Sequence, residues 1–471
     1  MSEIDRRTVM KLLGVGAGAA AVGGAALARE VTAHPHEHGT LRHQIAEYVT
    51  GARFEDLSPA VVEKAKEQIV FFFGRALANI ETLRCRKALE FARQLGRGND
   101  RARATASVVG NRVRLAPEDA GLVNATLFGD SLPRGTLLHD SIHPGVVALP
   151  AALAMGEIGA VTGRDLILAL VLGYEVLGKL GQPTASIVPS TRTAASYAAT
   201  VAAGRMLALD HERLFHALGH AHILTCGTDR ELECGVVTRS ALLAANLAHA
   251  GAPAVELLIH AQLPERVDDL GYWEILTTLQ RPYPAATHAP AALELLADLL
   301  ATHELDPSSV SAIDVVLPAS GSRVRDLELA ARGPFGSAYR ACSSVPYGLA
   351  RVLVDRRIDA ARLADSRLAS DAQTAHLMQA IEVSFESGRS QRWARITVHT
   401  SEGRSIRRDS DFFTFELPRA RWHDWLCASG REVLPSTHLF ELTRVIATLE
   451  QVDDVSKLLA AATPRGTGAR G

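Results

Sequence analysis

His216 and His220 stand four residues apart on one expected helix, the spacing that lets two imidazoles share a metal ion. His211 and His222 lie nearby, yet no carboxylate or further histidine completes a known ligand pattern, so core or surface histidines are the better reading. His34, His36 and His38 form a second cluster in a Pro/Gly-flanked stretch, where a solvated linker is the better reading than a metal site. Gly14-Val15-Gly16-Ala17-Gly18-Ala19 imitates a dinucleotide fingerprint, but no strand precedes it and no βαβ unit surrounds it. Five cysteines are too few and too scattered for a disulfide framework. Cys226 and Cys234 do not have zinc-knuckle spacing; buried thiols are expected, with one disulfide left open. No nucleophile elbow, phosphate loop or basic-aromatic stripe is present. A net charge of −2 argues against nucleic acid as a partner.

The elements that must position any chemistry are mostly helical. Hydrophobic residues make up 47% of the chain and aromatic residues only 5%, so the core is built from Ala, Leu and Val, a composition that favours close-packed helices. Ser58 caps a helix with Pro59 in its first turn, and Val62, Ala65, Ile69, Phe72 or Phe73, and Ala76 recur at helical spacing. A second helix starts near Pro117. Others are expected at 145–158, 165–181, 194–207, 211–222 (behind an Asp210 cap), 236–250 and 289–302. The apolar stretch Leu166–Leu180 is interrupted by Glu175 and Lys179, which at i,i+4 are expected to pair; a buried core helix explains it better than a membrane span. After about Asp306 the pattern alternates: 311–317, 381–385 and 394–399 read as strands, with a hairpin turn at 400–403 before Ser405-Ile406. The tail from Leu439 to Leu459 reads as amphipathic helix.

The N-terminus carries Arg6 and Arg7, then Thr8-Val9-Met10-Lys11, a weakly apolar run from Leu12 to Leu27, and the small-residue site Ala26-Leu27-Ala28. It resembles a twin-arginine export signal, and its apolar run is short for a membrane anchor. The expected organisation is a signal at 1–28, a linker at 29–41, and the first part of a helical domain at 42–276. An α/β lid domain follows at 277–410, then a helical return segment at 411–463 and a disordered tail at 464–471. The fold class is mostly α with an inserted α+β domain. The expected location is periplasmic or extracellular, or cytoplasmic if the signal is not used, with no stable membrane span after signal removal.

Several segments, in order, resemble the MmgE/PrpD family of 2-methylcitrate dehydratases, cis-aconitate decarboxylases and related isomerases. They are Leu115-Ala116-Pro117-Glu118-Asp119-Ala120-Gly121-Leu122-Val123-Asn124, His143-Pro144-Gly145 leading into Leu149-Pro150-Ala151, and Gly173-Tyr174-Glu175-Val176. Ala203-Gly204-Arg205-Met206 and Ala217-Leu218-Gly219 follow, then Pro282-Tyr283-Pro284 with His288, and Ala341-Cys342-Ser343-Ser344-Val345-Pro346-Tyr347. The resemblance implies a helical large domain with an α/β lid, a homodimer, no cofactor and metal-free catalysis on a small-molecule carboxylate.

It also implies site residues. His143 matches the family's histidine, Thr136 its threonine and Tyr347 a site tyrosine that orients substrate. The family's catalytic aspartate falls on Leu132, leaving Asp130 or Asp140 as substitutes through a shifted loop, with a turn residue and an exposed residue as the alternatives. A second histidine falls near Pro189 and is absent. Two family lysines correspond to Arg230 and Arg281. Arginine keeps the charge and grips carboxylates bidentately, but it does not transfer protons near neutral pH. His288 joins the two arginines as a substrate-binding candidate. The sequence therefore points to a lyase or isomerase that removes a proton next to a carboxylate. The alternatives are a family member that kept the fold as an exported carboxylate-binding or partner protein, and a specialised-metabolite enzyme reusing the cavity.

Overall fold

The computed structural model describes residues 41–95, 105–129, 136–137, 144–180, 191–224, 233–254, 267, 269–280, 285, 289–302, 305–320, 323–359, 362–363, 365–390, 393–410 and 417–464. The twin-arginine stretch, the His34–His38 cluster and Cys226 lie outside them.

The large domain opens with α1 (Leu41–Gly51), α2 (Pro59–Asn79) and α3 (Leu83–Leu95). Ser58 caps α2 through its hydroxyl, which accepts the Val61 N–H at 3.4 Å, and Pro59 sits in the first turn where no N–H is needed. Ala65, Ile69, Phe72 and Ala76 along this helix are fully buried, as their spacing requires. A small ladder of β1 (Ala106–Ser107) and β2 (Arg114–Leu115) precedes α4 (Pro117–Gly129), and a two-residue strand β3 (Thr136–Leu137) follows. The centre is α5 (Pro144–Gly159), α6 (Gly163–Leu180) and α7 (Thr191–Met206), flanked by α8 (His211–Leu224) and α9 (Glu233–His249). Asp210 caps α8 by accepting the Arg213 N–H at 2.8 Å. Among the described residues no helix is long and apolar enough to cross a membrane; α6 is a core helix.

Strand β4 (Leu279–Gln280) leads into the small domain: α10 (Pro290–Ala301), β5 (Val310–Pro318), α11 (Arg323–Leu329), α12 (Ala338–Ser343), α13 (Val345–Asp355), α14 (Ala372–Gln379), β6 (Ile381–Glu386), β7 (Ala394–Thr400) and β8 (Ser405–Ser410). The four-stranded sheet has the order β6-β5-β7-β8, with β5 and β6 parallel and the other pairs antiparallel. Ile313, Val315, Leu317, Ile381, Ile396, Val398 and Ile406 fill one face and pack with α10 and α13 into a second core. The chain then returns as α15 (Trp422–Gly430), α16 (Ser436–Ala447) and α17 (Ser456–Ala461), whose apolar residues rejoin the first core.

Two expectations are corrected. The tail is not one continuous helix: α16 ends at Ala447, and a 3₁₀ turn at Leu449–Gln451 separates it from α17. Tertiary hydrogen bonds replace helical ones there, the Val452 carbonyl accepting the Gly163 N–H at 2.8 Å and Val455 N–H donating to the Val161 carbonyl at 2.9 Å. Glu175 and Lys179 do not pair with each other as their best partners. The segment 269–280 crosses the end of α6 and supplies better ones, so Lys179 binds Glu274 at 3.0 Å. Glu175 instead accepts the backbone N–H groups of Gly271 and Glu274 at 2.8 and 2.7 Å.

Candidate active site

Asp130, Asp140, His143, Arg230, Arg281 and His288 lie outside the described residues, while the helices and strands that flank them in the chain are described. Helix α4 ends at Gly129, one residue before Asp130. Helix α5 starts at Pro144, directly after His143, and α9 starts at Glu233, three residues after Arg230. These ends meet. A Cβ on Gly129 would lie 2.7 Å from Val146 Cγ1 and 3.3 Å from Cys234 Sγ, and one on Gly235 would lie 2.6 Å from Thr126 Oγ1. Two ties hold α9 against α4: Arg239 Nε donates to Asp119 at 2.9 Å, and Asn246 donates to Glu118 at 2.7 Å.

Strands β3 and β4 pair antiparallel, with Thr136 opposite Gln280 and Leu137 opposite Leu279. Arg281 follows Gln280 in the sequence. The ladder thus joins the stretch that contains Thr136 and His143 to the one that contains Arg281 and His288. Two helix N-termini, those of α5 and α9, meet near Gly129, and the dipole at a helix N-terminus favours negative charge.

Beneath the first turn of α5 the packing is tight. A Cβ on Gly145 would lie 2.6 Å from Tyr174 Oη and 2.8 Å from Phe72 Cζ. The buried Tyr174 hydroxyl donates to Gln68 Oε1 at 3.0 Å. Two buried acid–base groups lie close to the chain ends that lead into the flanking loops. Glu175, near the end of α6, is fully buried, and burial pushes its carboxyl above the usual range against the opposing pull of the Glu274 and Gly271 N–H groups. His222, in the last turn of α8, is held below the usual histidine value by burial and by the Arg42 guanidinium.

Tyr347 is fully buried in the small domain, where its hydroxyl faces the carbonyls of Arg362 and Asp365 at 3.1 and 2.7 Å. Its hydrogen bonding is internal to that domain. Burial pushes its pKa well above the ordinary tyrosine value. His216 and His220 do not face one ligand: His216 Nδ1 accepts the Ala254 N–H at 3.2 Å, and His220 Nε2 meets the Ala252 carbonyl at 3.0 Å. Both pin the chain after α9. Among the described residues no group of three or more His, Cys, Asp or Glu is placed to hold a metal ion. Among the described residues no disulfide joins Cys85, Cys234, Cys342 and Cys427.

Sequence reasoning missed two arrangements. Asn124 is fully buried, and its amide accepts the Val109 N–H and donates to the Ser107 carbonyl, both at 2.9 Å, tying the β1–β2 segment to α4. Its place in an otherwise apolar helical stretch was the available signal. On the outer sheet face His399 Nδ1 meets Ser405 Oγ at 2.9 Å and Nε2 meets Asp314 at 3.0 Å. Three separate strands supply that trio, so no local motif announces it; Asp314 and Ser405 are exposed.

Comparison with known proteins matches residues 43–262 to the MmgE/PrpD N-terminal domain and residues 283–414 to the MmgE/PrpD C-terminal domain. No individual curated protein matches the chain.

Proposed function

The chain belongs to the MmgE/PrpD family, and from that premise we propose that it is a metal-free lyase or isomerase that removes a proton next to a carboxylate. The family includes dehydratases and decarboxylases, which makes lyase-type activity the general expectation. The observation that carries the reading is the β3–β4 ladder, which sets Thr136 opposite Gln280, the residue before Arg281. The meeting of the α4, α5 and α9 ends around Gly129 supports it.

In this reading His143 is the general acid–base and Thr136 positions the substrate. Arg230 and Arg281, with His288, bind its carboxylates. A guanidinium fork holds a carboxylate through two parallel N–H donors and stabilises the negative charge that builds when the α-proton leaves. It does not itself take that proton, so the proton-transfer work falls on His143 and on one carboxylate, Asp130 or Asp140. A second reading, carboxylate binding without turnover, is favoured by Leu132 and Pro189 at the family's aspartate and second-histidine positions.

Incubation with hydroxy-di- and tricarboxylates in deuterated water separates the two readings. The lyase reading expects deuterium at the α-carbon, lost in His143→Ala and in one of Asp130→Asn and Asp140→Asn. Thermal stabilisation by the same compounds without any exchange would establish the binding reading instead. Export by the twin-arginine route is part of the proposal; replacing Arg6 and Arg7 by lysine should retain the chain in the cytoplasmic fraction, and unchanged export of that variant would refute it.

A further inference from the structure

Between the last described part of α9 and β4, the chain passes through a segment with three left-handed residues in five: Asp269 (φ +56°), Gly271 (φ +100°) and Trp273 (φ +58°). Glycine suits that conformation and aspartate tolerates it, but tryptophan avoids it unless its surroundings impose it. Here the surroundings are explicit. Gln44 of α1 grips Val267 from both sides, accepting its N–H at 2.9 Å and donating to its carbonyl. Glu175 of α6 takes the Gly271 N–H on one carboxylate oxygen and the Glu274 N–H on the other. Lys179, one turn further along α6, holds the Glu274 carboxylate, and both side chains are nearly buried.

The held segment leads straight into β4. A 3₁₀ turn at Glu274–Thr277 is closed by Thr278, whose hydroxyl donates to the Ile275 carbonyl at 2.6 Å, and the next two residues are β4. We propose that Glu175 is a positioning residue for the proposed site: its two backbone hydrogen bonds set where β4 pairs with β3, and so where Gln280 stands opposite Thr136. This rests on the lyase reading of the same site. A carboxylate suits the task because it accepts two N–H groups in a fork, one per oxygen; a glutamine has one acceptor oxygen and would face one of the two donors with its own NH₂. The neighbouring Lys179–Glu274 pair fixes the same turn by a side chain and leaves both backbone bonds untouched.

The test is hydrogen exchange read by mass spectrometry on the full chain, with Glu175→Gln, Lys179→Met and wild type compared. Glu175→Gln is expected to speed exchange at Gly271 and Glu274 and, at least ten-fold, in peptides covering Thr136–Leu137 and Leu279–Gln280. Lys179→Met is expected to leave the strand pair protected. Gly271→Ala provides an independent arm: a methyl there meets nothing within 4 Å, so it loads the segment by its φ alone, and it should open the same strand pair. Strand-pair protection unchanged in Glu175→Gln, or lost equally in Lys179→Met, overturns the proposal; if Glu175→Gln does not fold, Gly271→Ala decides it in the same way. Citrate binding, followed by calorimetry, should weaken at least ten-fold in Glu175→Gln. Failure of the wild type to bind any of citrate, tricarballylate and malonate would count against the lyase reading, while the exchange data would still decide the role of Glu175.

Discussion

Gly145→Ala tests the packing beneath the first turn of α5, where the candidate site meets the core. The added methyl would sit 2.6 Å from Tyr174 Oη and 2.8 Å from Phe72 Cζ, and closer still to Phe72 Cε2. Carbon atoms rest at about 3.5–4.0 Å, so the Phe72 ring must retreat by at least about 0.7 Å. It has little room, because Phe72 is fully buried with Phe71 edge-on to it and Phe128 stacked 5.8 Å away. Overpacking of this kind costs about 1–3 kcal/mol. Replacing glycine in a helix returns up to about 1 kcal/mol, less in a first turn. The net expectation is a loss of about 1.5 kcal/mol, a fall of a few degrees in melting temperature. Scanning calorimetry on Gly145→Ala and on Gly51→Ala, whose methyl would meet nothing within 4 Å, gives the contrast. Adding Phe72→Leu should make Gly145→Ala less costly than it is alone, a coupling of at least ~0.5 kcal/mol. A Gly145→Ala protein as stable as Gly51→Ala, with no coupling to Phe72, would refute the reasoning.

Asn124→Leu should destabilise the large domain by about 3 kcal/mol, because it orphans the buried Val109 N–H and Ser107 carbonyl together; urea unfolding within ~0.5 kcal/mol of wild type would contradict this. Tyr347→Phe should cost about 1 kcal/mol of stability while leaving carboxylate binding unchanged, since among the described residues its hydroxyl meets the Arg362 and Asp365 carbonyls of the small domain; a ten-fold loss of binding would support a substrate-orienting role. His222 is held below its ordinary 6.5, so the unfolded chain binds its proton first: the neutral form supports the fold above that value, and the support is lost as pH falls below it. Replacing His222 with glutamine should flatten the stability profile between 6.5 and lower pH, and an unchanged slope there would show that another group carries it.

The scaffold was legible wherever one stretch of chain contained its own signal. Ser58 with Pro59 and Asp210 with His211 mark helix starts through groups that satisfy local N–H donors, and the alternation at 311–317 and 394–399 marks the strands that bury one face. What escaped depends on distant partners. The break after Ala447 exists because residues 161–163 take hydrogen bonds that a continuing helix would need, and nothing within 439–459 records that. Glu175 and Lys179 have ideal helical spacing, yet a segment almost a hundred residues later offers two N–H donors and a second carboxylate. Two-residue strands such as β3 and β4 have no periodicity to read. The candidate site residues came only from resemblance to a family, because single catalytic side chains follow no repeating pattern that a sequence could display.

The choice between turnover and mere binding narrows to the carboxylate that accompanies His143. Arginine at positions 230 and 281 preserves the charge that recognises a carboxylate and removes the only side chains there that could have exchanged a proton. Catalysis then needs a base whose chain neighbours belong to the same frame as the start of α5. Asp130 meets that condition: it follows Gly129, which touches Val146 of α5 and Cys234 of α9. Asp140 meets it too: it lies three residues past β3 and four before Pro144, the first residue of α5. In the proposed lyase, Arg230 and Arg281 would bind the substrate's carboxylates, and the proton would move between His143 and whichever of Asp130 and Asp140 serves as its partner.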